Sequence, residues 1–232
     1  MSQFDELKER VYQSNMELPL KGVVIYTFGN ASAIDREQNA IAIKPSGVPY
    51  EKLKSDNIIV VDMEGKRIEG TLRPSSDTKT HLMLYRHFPN IGGIAHTHSP
   101  YAVAWSQACK AIPILGTTHA DHLTADIPCT RVMTDEMIKG DYESETGNQI
   151  IELFSSLSCE EIEMVLVACH GPFTWGRTVE QAVYNAVIVE ELAKIAYFTL
   201  QINAKTPRLK STLIDKHYLR KHGKNAYYGQ SG

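Results

Sequence analysis

Cysteine is scarce in this sequence: Cys109, Cys129, Cys159 and Cys169 are the four in 232 residues, and none forms a C-x-x-C pair. That spacing excludes a disulfide-built scaffold and the paired-cysteine zinc modules, and it fits a reducing, cytoplasmic setting. Long apolar runs are missing too, since none approaches the roughly 20 residues a membrane helix needs. The opening residues Met1-Ser2-Gln3-Phe4-Asp5-Glu6 are polar and acidic, so no secretory signal is expected. There is no excess of positive charge. Lys plus Arg number 24 against 27 Asp plus Glu, a net charge of −3, which removes any global attraction to nucleic acid or an anionic membrane. Neither is expected as a partner. A Walker A loop, a G-x-G-x-x-G fingerprint, internal repeats and Pro/Gly/Ser-rich linkers are also absent. With 43% hydrophobic and 22% charged residues, the chain has the means to fold around a core. One domain spanning residues 1–232 is expected.

The local patterns alternate between strand and helix. Phe4, Leu7, Val11 and Met16 recur at near-helical spacing, which predicts a helix over 3–17. Short β-branched runs predict strands at 23–28, 40–43 and 58–62, with a hairpin turn through Met63-Glu64-Gly65-Lys66 into 67–69. A helix is expected over 78–88 and a buried strand over 91–97. Ser99-Pro100 reads as an N-cap and first helical position, opening a helix to about Cys109. Further strands are expected at 112–115, 127–132 and 164–169, a helix at 148–155, and a long helix beginning at Thr178. The irregular order suggests an α/β domain with a mixed central sheet flanked by helices.

The sharpest feature is Ile94-Ala95-His96-Thr97-His98-Ser99 at a strand end. Residues two apart in a strand share a face, so His96 and His98 can present their imidazoles to one point. A second strand ends in His170-Gly171-Pro172. Three histidines at strand ends make a facial metal site with open positions, as a catalytic metal needs, although local hydrogen bonding explains isolated histidines equally well. Three turns, Gly29-Asn30, Lys44-Pro45-Ser46-Gly47 and Pro74-Ser75-Ser76-Asp77, offer N–H, hydroxyl and ammonium donors suited to phosphate. Ordinary turn chemistry accounts for each of them alone. Asp121, in Gly116-Thr117-Thr118-His119-Ala120-Asp121, reads as an acid/base or as a turn residue. The His- and Tyr-rich end, Asp215 through Gln230, reads as a solvated basic helix or as a segment docked on a neighbouring subunit. Read from its residues, the chain is a metal-dependent enzyme acting on an anionic small molecule.

Taken in order, these segments, ending in Ala226-Tyr227-Tyr228-Gly229-Gln230, resemble the L-ribulose-5-phosphate 4-epimerase family of the class II aldolase superfamily. The resemblance runs along nearly the whole chain and implies a class II aldolase-like fold. By position it implies that His96, His98 and His170 ligate one divalent ion, zinc or another such as Mn2+, with Asp77 as the attached carboxylate. Gly29, Asn30, Lys44, Ser46, Gly47, Ser75 and Ser76 match the substrate- and phosphate-binding segments. Asp121 and Tyr228 match the acid/base pair, and Thr117, Glu143 and His217 match supporting positions. The resemblance also implies a homo-oligomer, a cyclic tetramer, in which the segment from about 208 to 232 completes a neighbour's site. Ala168-Cys169 before His170 is a small departure from the family's pattern.

In a 2-ketopentose 5-phosphate, C4 lies one carbon too far from the carbonyl for its proton to be acidic. Epimerisation at C4 without an oxidising cofactor therefore calls for cleavage of C3–C4, rotation of glycolaldehyde phosphate, and re-addition to its other face. A divalent ion supplies the Lewis acid for that cleavage. The aldolase alternative, of the fuculose- or rhamnulose-phosphate type, would release the two fragments. A non-catalytic scaffold resembling the adducin head would have no use for three retained histidines with Asp121 and Tyr228.

Overall fold

The computed structural model describes residues 2–223 together with Ala226 and Tyr227. Its centre is a seven-stranded sheet of β1 (Asn30–Asp35), β2 (Ala40–Ile43), β3 (Ile59–Asp62), β4 (Arg67–Glu69), β5 (Gly93–His96), β6 (Met164–Val167) and β7 (Gly171–Gly176). The spatial order is β4-β3-β2-β1-β5-β7-β6. Every ladder between these strands is antiparallel, and parallel pairing enters through an isolated bridge between Cys129 and Leu166. Eight α-helices surround the sheet among the described residues: α1 (Asp5–Leu20), α2 (Thr78–His87), α3 (Pro100–Gln107), α4 (Thr117–Ala120), α5 (Asp135–Lys139), α6 (Tyr142–Leu153), α7 (Val179–Ile202) and α8 (Ser211–His222).

The period-2 alternation of the strands divides the core into two layers. Ile41, Ile59, Val61, Ile94, Val165, Phe173 and Trp175 point to one face and pack with Leu82, Leu84 and Tyr85 of α2 and Ile150 of α6. Ala40, Ala42, Val60 and Ala95 point to the other, against Val11 and Leu18 of α1 and Val179, Ala182, Val183 and Ala186 of α7. A third cluster joins Met164 and Leu166 to α3 and the far half of α7. Small residues face the two long helices and large ones face the other layer, so α1 and α7 lie close to the sheet.

Several expectations need correction. Residues 23–28 do not form a strand. Val23 and Val24 are buried under α1, but Tyr26 has φ 54° and Gly29 φ 75°, which turns the segment back. Strand β1 follows that turn at Asn30, where its alanines hid it from the β-branched pattern. Residues 112–115 and 127–132 pair only through single bridges. Strand β7, opening with Gly171-Pro172, was not expected, because both residues ordinarily weaken a strand reading. Helix α6 begins at Tyr142, six residues before its expected start, behind an Asp141 cap that accepts the Ser144 N–H.

Register then gathers the site. Asn30 pairs with His96 and His96 with Phe173, while Ser32 pairs with Ile43. The start of β1, the ends of β2 and β5 and the start of β7 therefore share one end of the sheet. Gly29 makes this closeness possible: a Cβ there would lie 2.7 Å from the His96 carbonyl oxygen, in a left-handed conformation.

Candidate active site

At that end of the sheet the three histidines converge. Their ligand atoms lie within 4.8 Å of one another. His96 is buried and stacks on Phe173 with ring centroids 4.2 Å apart. Its Nδ1–H donates to the Pro172 carbonyl oxygen at 2.9 Å, which leaves Nε2 as a lone pair facing His98 Nε2 at 3.0 Å. His170, half-buried, follows the turn at Cys169 (φ 62°) and places Nδ1 3.3 Å from the Tyr142 hydroxyl. Burial pulls His96 and His170 down to about 3 and His98 below its ordinary value. Three imidazoles held neutral, with lone pairs turned to one point, fit zinc or a similar divalent ion. The Pro172 carbonyl and the Tyr142 hydroxyl are the kind of partners that orient metal-bound imidazoles.

The three donor-rich turns lie beside the triad. Lys44, at the end of β2, is fully buried; its Nζ donates to Val48 O at 2.8 Å and stands 4.8 Å from the Tyr50 ring centroid. Burial pulls the amine down to about 8, and no carboxylate among the described residues offsets that pull. A buried ammonium without a counter-ion is costly and favours a bound anion. Two backbone bonds lay 44–47 against 73–77: Ser75 N donates to Lys44 O at 3.1 Å and Ser46 N to Arg73 O at 2.9 Å. Ser75 and Ser76 then precede α2, where the helix dipole adds to the attraction for phosphate.

Asp77 adjoins the histidines, and Asn30 Nδ2 donates to its Oδ2 at 2.6 Å. The Asn30 Oδ1 is buried and has no partner among the described residues, which suits a substrate hydroxyl. Thr80 Oγ1 donates to Glu143 O at 2.7 Å, and Lys79 pairs with Asp141 at 2.8 Å, so α2 fixes the start of α6 and with it Tyr142 and Glu143. Asn30, Asp77, Tyr142 and Glu143 line, with the histidines and the turns, a cleft of about 390 Å³.

The cleft brings together Gly29, Asn30, Lys44, Ser46, Gly47, Ser75, Ser76, Asp77, His96, His98, Glu143 and His170. Thr117, Asp121 and His217 are not part of its lining. They belong to a second cluster, where α8 packs on α4. There His217 Nδ1 lies 2.9 Å from Asp121 Oδ1, and Arg220 Nη2 donates to both carboxylate oxygens at 2.9 Å. Burial pushes the Asp121 carboxyl up, but the Arg220 and His217 hydrogen bonds outweigh it and hold the group below its ordinary range. Tyr228 lies outside the described residues. Three cleft residues escaped the sequence reading: Thr27, Phe28, whose ring centroid is 5.8 Å from that of His98, and Tyr142. For Tyr142, the one available signal was its place next to Glu143.

An L-fuculose 1-phosphate aldolase superposes with a TM-score of 0.77 at 24% identity, covering 94% of this chain and 95% of the other. An L-fuculose 1-phosphate aldolase from Glaciozyma antarctica gives 0.76 at 17% identity, covering 96% and 84%. An L-fuculose-1-phosphate aldolase from Thermus thermophilus gives 0.63 at 22%, covering 88% and 98%. At these identities the likeness is one of fold. The family model of the class II aldolase and adducin N-terminal domain matches residues 9–197, and the chain belongs to that family.

Proposed function

We propose that this chain is a metal-dependent sugar-phosphate 4-epimerase that interconverts L-ribulose 5-phosphate and D-xylulose 5-phosphate. The observation that carries the reading is the meeting, in one cleft, of three neutral imidazoles with a buried Lys44 that has no carboxylate partner among the described residues. One end of the cleft suits a ketose and the other a phosphate. His96, His98 and His170 would hold the ion, zinc or another divalent metal such as Mn2+, with Asp77 at its edge. When bound, the ion supplies Lewis-acid stabilisation of negative charge on the ketose oxygens.

This chain's own residues do the rest. Lys44, the Ser46 and Gly47 turn, and Ser75 and Ser76 anchor the phosphate, so the aldehyde fragment stays bound after C3–C4 cleaves. Asn30 Oδ1 accepts a substrate hydroxyl and Glu143 supports the pocket, while Thr117, on the α4 that Asp121 caps, supports the neighbour's site that Asp121 serves. Asp121 and Tyr228 exchange protons with the C4 oxygen on opposite faces of the transient aldehyde. Held ionised by Arg220 and His217, Asp121 is prepared to accept the proton.

Because Asp121 and His217 stand outside their own chain's cleft, they serve a neighbour's site in a homo-oligomer, a cyclic tetramer, completed by the segment from about 208 to 232. The exposed apolar residues Ile195, Tyr197, Phe198 and Ile202 of α7 support such an assembly. An aldolase remains the second reading, because three histidines and a phosphate anchor serve it equally well. The test is to incubate metal-loaded protein with L-ribulose 5-phosphate and with unphosphorylated L-ribulose. D-xylulose 5-phosphate formation with strong preference for the phosphate ester supports the proposal. No turnover, or equal turnover of both sugars, overturns it.

A further inference from the structure

We propose that Cys109 and Cys169 form a reversible dithiol–disulfide modification site that controls the turn carrying His170. Both cysteines are free and exposed, and their sulfurs lie 3.7 Å apart. The backbone holds them together: Cys109 N and Cys169 N both donate to one acceptor, the Ser106 carbonyl oxygen, at 3.0 and 2.9 Å. Both residues also adopt left-handed backbone, with φ 52° and 62°, an uncommon conformation for a residue bearing a Cβ. Ala168 N, donating to Thr130 Oγ1 at 3.0 Å, fixes the other side of the same turn. Forming a bond of about 2.05 Å from this separation needs side-chain rotation, with the 168–170 turn drawn toward the end of α3.

The oxidant is hydrogen peroxide. One thiol attacks the peroxide oxygen, becoming a sulfenic acid and releasing water. The second sulfur then displaces that hydroxyl as a second water, forming the S–S bond, so two thiols and one hydrogen peroxide give one disulfide and two waters. A small dithiol reverses the reaction by exchange. An exposed disulfide in a chain with no disulfide framework belongs to the labile, regulatory kind. The consequence for metal binding rests on the proposed site, whereas the disulfide itself does not.

The test uses the full-length protein, oxidised with hydrogen peroxide, then mapped by non-reducing peptide mass spectrometry and titrated with zinc against a chromophoric chelator. The expected result is one intrachain Cys109–Cys169 link, removed by dithiothreitol, with zinc affinity at least about tenfold weaker in the oxidised form. Cys109→Ser should show neither change, and Cys129→Ser should show both. Retention of all four thiols, a link involving other cysteines, or equal zinc affinity in the two redox states would overturn the proposal. Neither readout involves the sugar phosphate, so a failed epimerase assay leaves this result standing.

Discussion

The hydroxyl of Tyr142 stands 3.3 Å from His170 Nδ1, and Pro172 O stands 2.9 Å from His96 Nδ1. The two contacts have the same role but differ in how they can be altered, since only Tyr142 can be changed without touching a backbone. Tyr142→Phe removes the hydroxyl and keeps the ring, so it should lower zinc affinity by about 10- to 100-fold with little loss of stability. Chelator competition beside urea unfolding separates the two effects. Burial pulls His81 down to about 3, whereas an unfolded histidine titrates near 6.5. Between those values the unfolded chain binds a proton that the native imidazole does not. His81 therefore contributes fully above about pH 6.5, and its contribution is lost as pH falls toward 3, with a slope of about 1.4 kcal/mol per pH unit. Urea unfolding of metal-free protein from pH 7 to pH 4 should show a steeper total slope, because His96 and His170 are pulled down in the same way, and His81→Gln should reduce it by about 1.4 kcal/mol per pH unit. The convergence of His96 and His98 was legible in the sequence because two-residue spacing at a strand end is a direct geometric statement, and that of His170 because it follows a second buried strand. Tyr142 and Phe28 were not, because a lone aromatic beside a turn has no spacing partner.

Among the elements, the least legible were those that shape the site's edges. Strand β1 carries Ala31 and Ala33 where α1 and α7 approach, so the pressure for small residues erased the β-branched signature. The 23–28 run had that signature and is no strand, because the left-handed turn at Tyr26 and Gly29 overrides it. The long helix α7 was plain, opening with a Thr178 cap that accepts the Gln181 N–H. The turn between residue 28 and β1 yields a prediction. In Gly29→Ala the new Cβ would meet His96 O at 2.7 Å and Val24 Cγ1 at 2.8 Å, with an unfavourable φ besides. Neither the strand end nor the buried valine can yield cheaply. The variant should lose about 1–3 kcal/mol of stability and bind zinc more weakly, because His96 must move. Gly47→Ala also has a positive φ but meets nothing within 4 Å, so its cost should be smaller and its zinc affinity unchanged.

At the scale of the whole molecule, the two halves of the proposed chemistry are held apart in a single chain. The triad and Lys44 share the cleft, while Asp121 is gripped by Arg220 and His217 where α8 meets α4. Sequence order could not reveal that separation, since Asp121 lies only 23 positions after His98. A site shared between neighbours makes a complementation experiment informative. His98→Asn chains and Tyr228→Phe chains should each be nearly inactive alone. Dissociated and reassembled in equal amounts, they should recover about a quarter of wild-type turnover, the share of random neighbour pairs that restore one complete site. Absence of recovery would place both functions within one chain.

A label-crossover experiment decides whether epimerisation proceeds with both fragments retained. L-ribulose 5-phosphate labelled with carbon-13 at C1–C3 is mixed with an equal amount labelled at C4–C5, and the metal-loaded enzyme converts the mixture. D-xylulose 5-phosphate is expected in which each molecule keeps its original labelling, with no free glycolaldehyde phosphate. Doubly labelled or unlabelled product, or free fragments in solution, would contradict retention and identify the chain as an aldolase.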